Sequence, residues 1–189
     1  GQMARKQKDT AQPTFLLTEA ELRTAVCVPA IRSKVEQWRS AGYPKVTETT
    51  RTLLNYWFHT DHRLPDRTRF AYHPSQRFAV ETLVYLYEVA GISNQEQLFR
   101  RYVEAGQNPQ LPTHDLYPRF AVKMATGSGK TKVMSLAIAW HYLNAILETE
   151  NPHPATFLLI APNVIVFERL QRDFRNGAIF RTDPVIPPS

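Results

Sequence analysis

The run FAVKMATGSGKTKVMS, from Phe120 to Ser135, constrains this chain more than any other stretch. RFAVKM reads as a buried strand and TKVMSLAIAWHYLNAILE as a long helix, so the glycines between them fall in a strand-to-helix loop. Such loops bind phosphate for a physical reason. Their backbone N–H groups converge on a concavity, and the helix N-terminus adds partial positive charge. Gly127 and Gly129 let the backbone curl and approach oxygens without a Cβ in the way. Ala125, Thr126 and Ser128 supply the rest of the cradle. Lys130 reaches the β- and γ-phosphates as a compact charge, and Thr131 offers its hydroxyl to Mg²⁺. The full pattern G-x-x-x-x-G-K-[ST] has glycine where this chain has Met124. A purely structural glycine turn is the competing reading; the strand before and helix after favour a nucleotide.

The flanks agree. TFLLIAP reads as a second buried strand and NVIVFERLQRDFRNG as a second helix. Strand–loop–helix–strand–helix is the signature of an α/β fold with a parallel sheet. Upstream the patterns are helical. Thr18 with Glu21 forms a capping box for a helix running toward Cys27. PAIRSKVEQWRSAG has Pro at its start and Gly at its end. TETTRTLLNYWF, PSQRFAVETLVYLYEVAG and NQEQLFRRYVEAG follow as helices, with 59–73 and GQNPQLPTHDLYP as loops. The expected division is a disordered tail over 1–13, a helical extension over 14–68, and a nucleotide-binding part over 69–189. Trp38, Trp57 and Trp140 are expected in the core. Val133, Leu136, Trp140 and Leu147 are expected to pack on the sheet, with His141 at its boundary.

Composition narrows the class. The net charge is +6, which suits a polyanionic partner, although the arginines are scattered along the chain. No run of 18 apolar residues is present, so no membrane span is expected. The single cysteine, Cys27, forms no internal disulfide and fits a reducing, cytoplasmic setting. His59-Thr60-Asp61-His62 has metal-ligand residue types, but lacks a third strong ligand nearby and reads as surface.

Two further positions carry chemistry. Gln76 opens a helix, and a glutamine side chain pairs bidentately with adenine, accepting from N6 and donating to N7, which rejects guanine. Phe70 or Tyr72 stacks on the base or packs in the core. Pro162 and Asn163, between the second strand and its helix, are placed to meet phosphate oxygens of a nucleic acid. Asn163 is equally suited to cap the helix.

Met-Ala-Thr-Gly-Ser-Gly-Lys-Thr resembles motif I of superfamily two helicases, where the first position varies. SQRFAVETLVYLYEV resembles their glutamine motif, and FLLIAPNVIVFERLQRDF their motif Ia. With VEQWRSAGYPKVTETTRTLLNYW upstream, the chain over roughly residues 30 to 189 resembles the N-terminal portion of a type III restriction enzyme Res-subunit-like helicase of the DEAD/DEAH superfamily. The resemblance implies a RecA-like lobe, ATP and Mg²⁺ as cofactors, and hydrolysis coupled to movement on duplex DNA. It implies partners as well: DNA, and a modification or specificity subunit. Motif II of such enzymes supplies an Asp-Glu pair, and no Asp-Glu dipeptide occurs in this chain. The expectation is therefore ATP binding with negligible turnover by this chain alone, as a portion of a longer enzyme. Two rivals remain: a P-loop kinase, and a helical DNA- or partner-binding module in which Arg32, Lys34, Arg39 and Lys45 touch phosphates beside a degenerate P-loop.

Overall fold

The computed structural model describes residues 26–64, 66–103, 119–150 and 152–188. The helix expected from Thr18 begins outside the described residues, and the 1–13 tail and the GQNPQLPTHDLYP loop lie wholly outside them.

Helix α1, Val28–Ser40, carries a proline in its first turn and buries Ile31, Val35 and Trp38 on one stripe. The chain leaves it through Gly42, at φ 80°. Helix α2, Glu48–His59, is capped by Thr47, whose hydroxyl accepts from Thr50 N at 3.0 Å, and it buries Leu53, Leu54 and Trp57. A two-residue antiparallel pair follows, β1 His62–Arg63 with β2 Arg69–Phe70, in a stretch expected to be loop. Helix α3, Pro74–Val84, continues into a π-helical turn over Tyr85–Val89, and the chain exits through Gly91 at φ 61°. Helix α4 is Gln95–Tyr102, α5 is Lys130–Leu147, α6 is Val164–Phe174 and α7 is Ala178–Thr182.

Helix α5 packs on α3 and α2, while α1 packs on α3 and α4. One cluster of buried side chains runs through these contacts and draws on both sides of position 68. Val35, Leu53, Leu54, Val80, Val84, Leu136 and Trp140 are at its centre. The three tryptophans are buried, as their helical spacing predicts.

The expected parallel sheet does not form among the described residues. Among the described residues the only sheet is β1–β2, and neither RFAVKM nor TFLLIAP forms a strand. The sequence predicts both apolar runs as buried strands. Here Leu158 and Ile160 are more than four-fifths exposed, with Val122 also at the surface. A strand needs a neighbour for its N–H and C=O groups and a layer over each face; without them an apolar run becomes apolar surface. The same correction applies to α5. Val133, Leu136 and Trp140 are buried, but against helices, and Leu147 is exposed. His62, expected at the surface, is buried, with Nε2 at 2.6 Å from the Tyr56 carbonyl.

Candidate nucleotide site

The glycine-rich loop leads directly into α5. Gly127 and Gly129 both take left-handed backbone, at φ 79° and 80°, where side-chain-bearing residues are strained. Gly129 is the N-cap of α5 and offers no side chain to the first-turn N–H groups, of which Lys132 N donates to the Gly129 carbonyl at 2.9 Å. The loop is held by its own bonds: Ser128 Oγ and Lys130 Nζ both donate to the Ala125 carbonyl, each at 2.7 Å. Lys130 is exposed and Thr131 half-buried, one residue into the helix. Left-handed glycines, a helix start without a side-chain cap, an exposed lysine and a hydroxyl form a donor set that fits a nucleotide's phosphates with Mg²⁺.

Gln76 lies against this loop. Its Oε1 accepts from His73 N at 2.9 Å, and with the His73 side chain it closes a capping box at the start of α3. Its Nε2 donates to the Ser128 carbonyl at 2.9 Å. A Cβ on Gly129 would land on that Nε2, so a larger residue at 129 would push the Gln76 amide aside as well as strain the backbone. Gln76 is buried. An amide oxygen has two lone pairs and an amide nitrogen two hydrogens, so one acceptor and one donor position remain beyond these bonds. The sequence placed Gln76 and the loop in one site but gave no sign of the direct bond between them.

The aromatic pair beside Gln76 is committed to packing. Phe70 and Tyr72 meet edge to face at 4.9 Å, and Tyr72 is buried with its hydroxyl donating to the Pro184 carbonyl at 3.2 Å. Lys132, just past Thr131, pairs with Asp183 and lies 5.0 Å over the Phe70 ring. Val185 is fully buried, and its carbonyl accepts from Trp57 Nε1 at 2.7 Å. Residues 183–185 thus form a strap tied to α5, to Tyr72 and to α2.

Asn163 caps α6, its Oδ1 accepting from Val166 N at 3.0 Å, and Pro162 beside it is exposed. Helix α6 shows solvent Val164, Ile165 and Phe167. Of the basic residues considered for a separate phosphate-binding module, Arg39 pairs with the buried Glu81 and Arg32 lies 5.1 Å over Phe78.

Two buried polar centres escaped the sequence reading. Glu81, fully buried, is held by Arg39, by Arg77 at 2.7 Å and by the Tyr43 hydroxyl at 2.6 Å. Glu88 accepts from Thr50 Oγ1 at 2.5 Å, Trp140 Nε1 at 2.6 Å and Thr47 N at 3.1 Å, and burial raises its pKa. Beside it His141 and His153 meet through their Nδ1 atoms at 2.8 Å; burial pushes both imidazoles down to about 4. The i,i+4 pair Arg77–Glu81 was legible as a helix pair, but not its burial.

Among the described residues no group of three or more His, Cys, Asp and Glu is arranged to hold a metal ion, and no helix is long and apolar enough to cross a membrane. The family model described as type III restriction enzyme, res subunit, matches residues 72–183. No curated protein and no solved structure matches the chain.

Proposed function

Because the chain belongs to the type III restriction enzyme Res-subunit family, we propose that it is an ATP-binding portion of a helicase-like translocase of a restriction system. The family is helicase-like in character and implies an ATP-dependent activity; the roles of individual residues are our assignment. The observation that carries it is Gln76 seated on the Ser128 carbonyl, at the loop from which Lys130 and Thr131 start α5.

In this reading the N–H groups of 125–131 and the N-terminus of α5 hold the phosphate chain. Lys130 leaves the Ala125 carbonyl for the β- and γ-phosphate oxygens, exchanging a neutral acceptor for a charged one. Thr131 would hold Mg²⁺ through its hydroxyl, and the ion would supply positive charge against the phosphates. Gln76 turns its remaining donor and acceptor to the adenine edge. Pro162, Asn163 and the exposed start of α6 face a DNA backbone. The division at 68 separates sequence character, and the described part of the extension, from residue 26 on, shares one core with the part that follows. In a longer enzyme the site is completed by acidic residues that polarise water, and duplex DNA and a modification or specificity subunit are the partners. The setting is cytoplasmic.

The test is calorimetric titration of Mg-ATP and Mg-GTP into the wild type and Lys130→Ala. Saturable ATP binding that is lost in Lys130→Ala, with GTP weaker, is expected. Unchanged ATP affinity in Lys130→Ala would remove the phosphate role from this loop.

A further inference from the structure

We infer that Arg39 and Tyr43, which lie outside the family-matched span, are positioning residues that set Gln76 against the phosphate loop. The inference deepens the nucleotide reading and rests on it for its functional consequence, but its geometric content stands alone.

Helix α3 is pinned on two sides. On one side Gln76 reaches the Ser128 carbonyl at 2.9 Å. Glu81 is five residues further on, about 140° around the helix axis. Its carboxylate is fully buried and receives Arg39 Nε at 2.8 and 3.0 Å and the Tyr43 hydroxyl at 2.6 Å. Arg77, adjacent to Gln76, is held by the same group. Its Nε donates to Glu81 at 2.7 Å, and its Nη2 contacts Tyr43 Oη at 2.8 Å and His59 Nε2 at 3.1 Å. Its guanidinium lies 5.3 Å over Phe58. A buried carboxylate is costly unless every partner stays in place, so the rotation of α3 is set by α1 and the turn after it. With side chains a helix has a radius of about 5–6 Å, so a rotation of about 20° moves a side-chain tip by about 2 Å. That is enough to break the Gln76–Ser128 bond.

A second observation points the same way. Tyr43 is buried at φ 57°, in the left-handed region that a bulky aromatic residue rarely occupies. Strain of this kind persists only where the surroundings over-determine it, and it concentrates at working positions. Here the left-handed backbone delivers the hydroxyl to both Glu81 and Arg77.

The experiment is hydrogen exchange on the full chain, comparing wild type, Tyr43→Phe, Arg39→Ala, Arg39→Lys and Gln76→Ala. Tyr43→Phe keeps the ring that packs on Trp38 at 4.9 Å and removes only the hydroxyl. Faster exchange across 125–132 in Tyr43→Phe and Arg39→Ala, matching Gln76→Ala and partly restored in Arg39→Lys, is expected. Faster exchange confined to α1 and α3 would overturn the inference. Nucleotide titrations then read the consequence: Tyr43→Phe narrows the ATP-over-GTP preference roughly threefold, the scale of one hydrogen bond. A wild type that binds ATP and GTP equally would remove Gln76 as the base reader, and with it that part of the proposed function. The exchange comparison would still decide the positioning role.

Discussion

Gln76 bonds the Ser128 carbonyl at 2.9 Å, so the residue proposed to read the base is physically attached to the loop proposed to hold the phosphates. The contact also bears on position 129, because the space a Cβ would need is filled by the glutamine amide, which would have to move.

Gly129→Ala should therefore fail twice, by backbone strain at φ 80° and by collision with Gln76. We expect a stability loss of about 1–3 kcal/mol and at least tenfold weaker Mg-ATP binding. The double variant Gln76→Ala/Gly129→Ala should recover part of the stability but not the affinity. Denaturant titration and calorimetry check this; full tolerance of Gly129→Ala would contradict the described loop.

Glu81→Gln keeps the shape and removes the charge that two arginines surround. Loss of the carboxylate leaves Arg39 and Arg77 facing each other across a buried amide, with a cost of about 3 kcal/mol. The two arginines keep 30% and 24% of their side-chain surface in water, which places the cost at the low end of the range for buried pairs. Urea unfolding measures it, and a change below about 1 kcal/mol would mean the cluster is not closed in solution.

His141 and His153 make stability depend on pH in a definite direction. Both imidazoles titrate near 4 in the folded protein, below the ordinary value near 6.5, so the unfolded chain binds more protons between these limits. Stability contributed by the pair is full above about pH 6.5 and is lost as pH falls toward 4. Discounted for partial solvent access, the loss is on the order of 2 kcal/mol. His141→Gln should flatten this limb of a Tm-against-pH curve. An identical acid limb in wild type and variant would show that the pair does not carry it.

The exposed apolar residues supply a contrast in magnitude. Leu158→Lys should change stability by less than about 0.5 kcal/mol, because that side chain is already in water. Leu136→Ala, at a fully buried position, should cost about 2–5 kcal/mol. Comparable losses at the two positions would show that Leu158 is buried in solution.

The helices and the glycine-rich turn before α5 were legible because their signals are local. Pro29 and Gly42 punctuate α1, Thr47 and Asn163 cap their helices, and the glycines at 127 and 129 sit where the backbone turns left-handed. The two expected strands were not decided by their own residues. RFAVKM and TFLLIAP have strand-like composition, yet pairing depends on a neighbour, and composition carries no information about whether one is adjacent. The buried polar centres were hidden for a related reason. Glu81 and Glu88 look like solvated charges on a helix, and only the arrival of Arg39 from α1, or of Thr50 and Trp140 from α2 and α5, makes their burial tolerable.

The strap at 183–185 gives the fold a tether. Asp183 grips the residue after Thr131, Pro184 takes the Tyr72 hydroxyl and Val185 takes the indole of Trp57. Three successive residues are moored to three separate elements, so a pull on the backbone past Thr182 loads all of them together. Displacing that stretch disturbs the contact at Lys132, so this short length of chain couples the segment after α7 to the first turn of α5 and the glycine-rich loop before it.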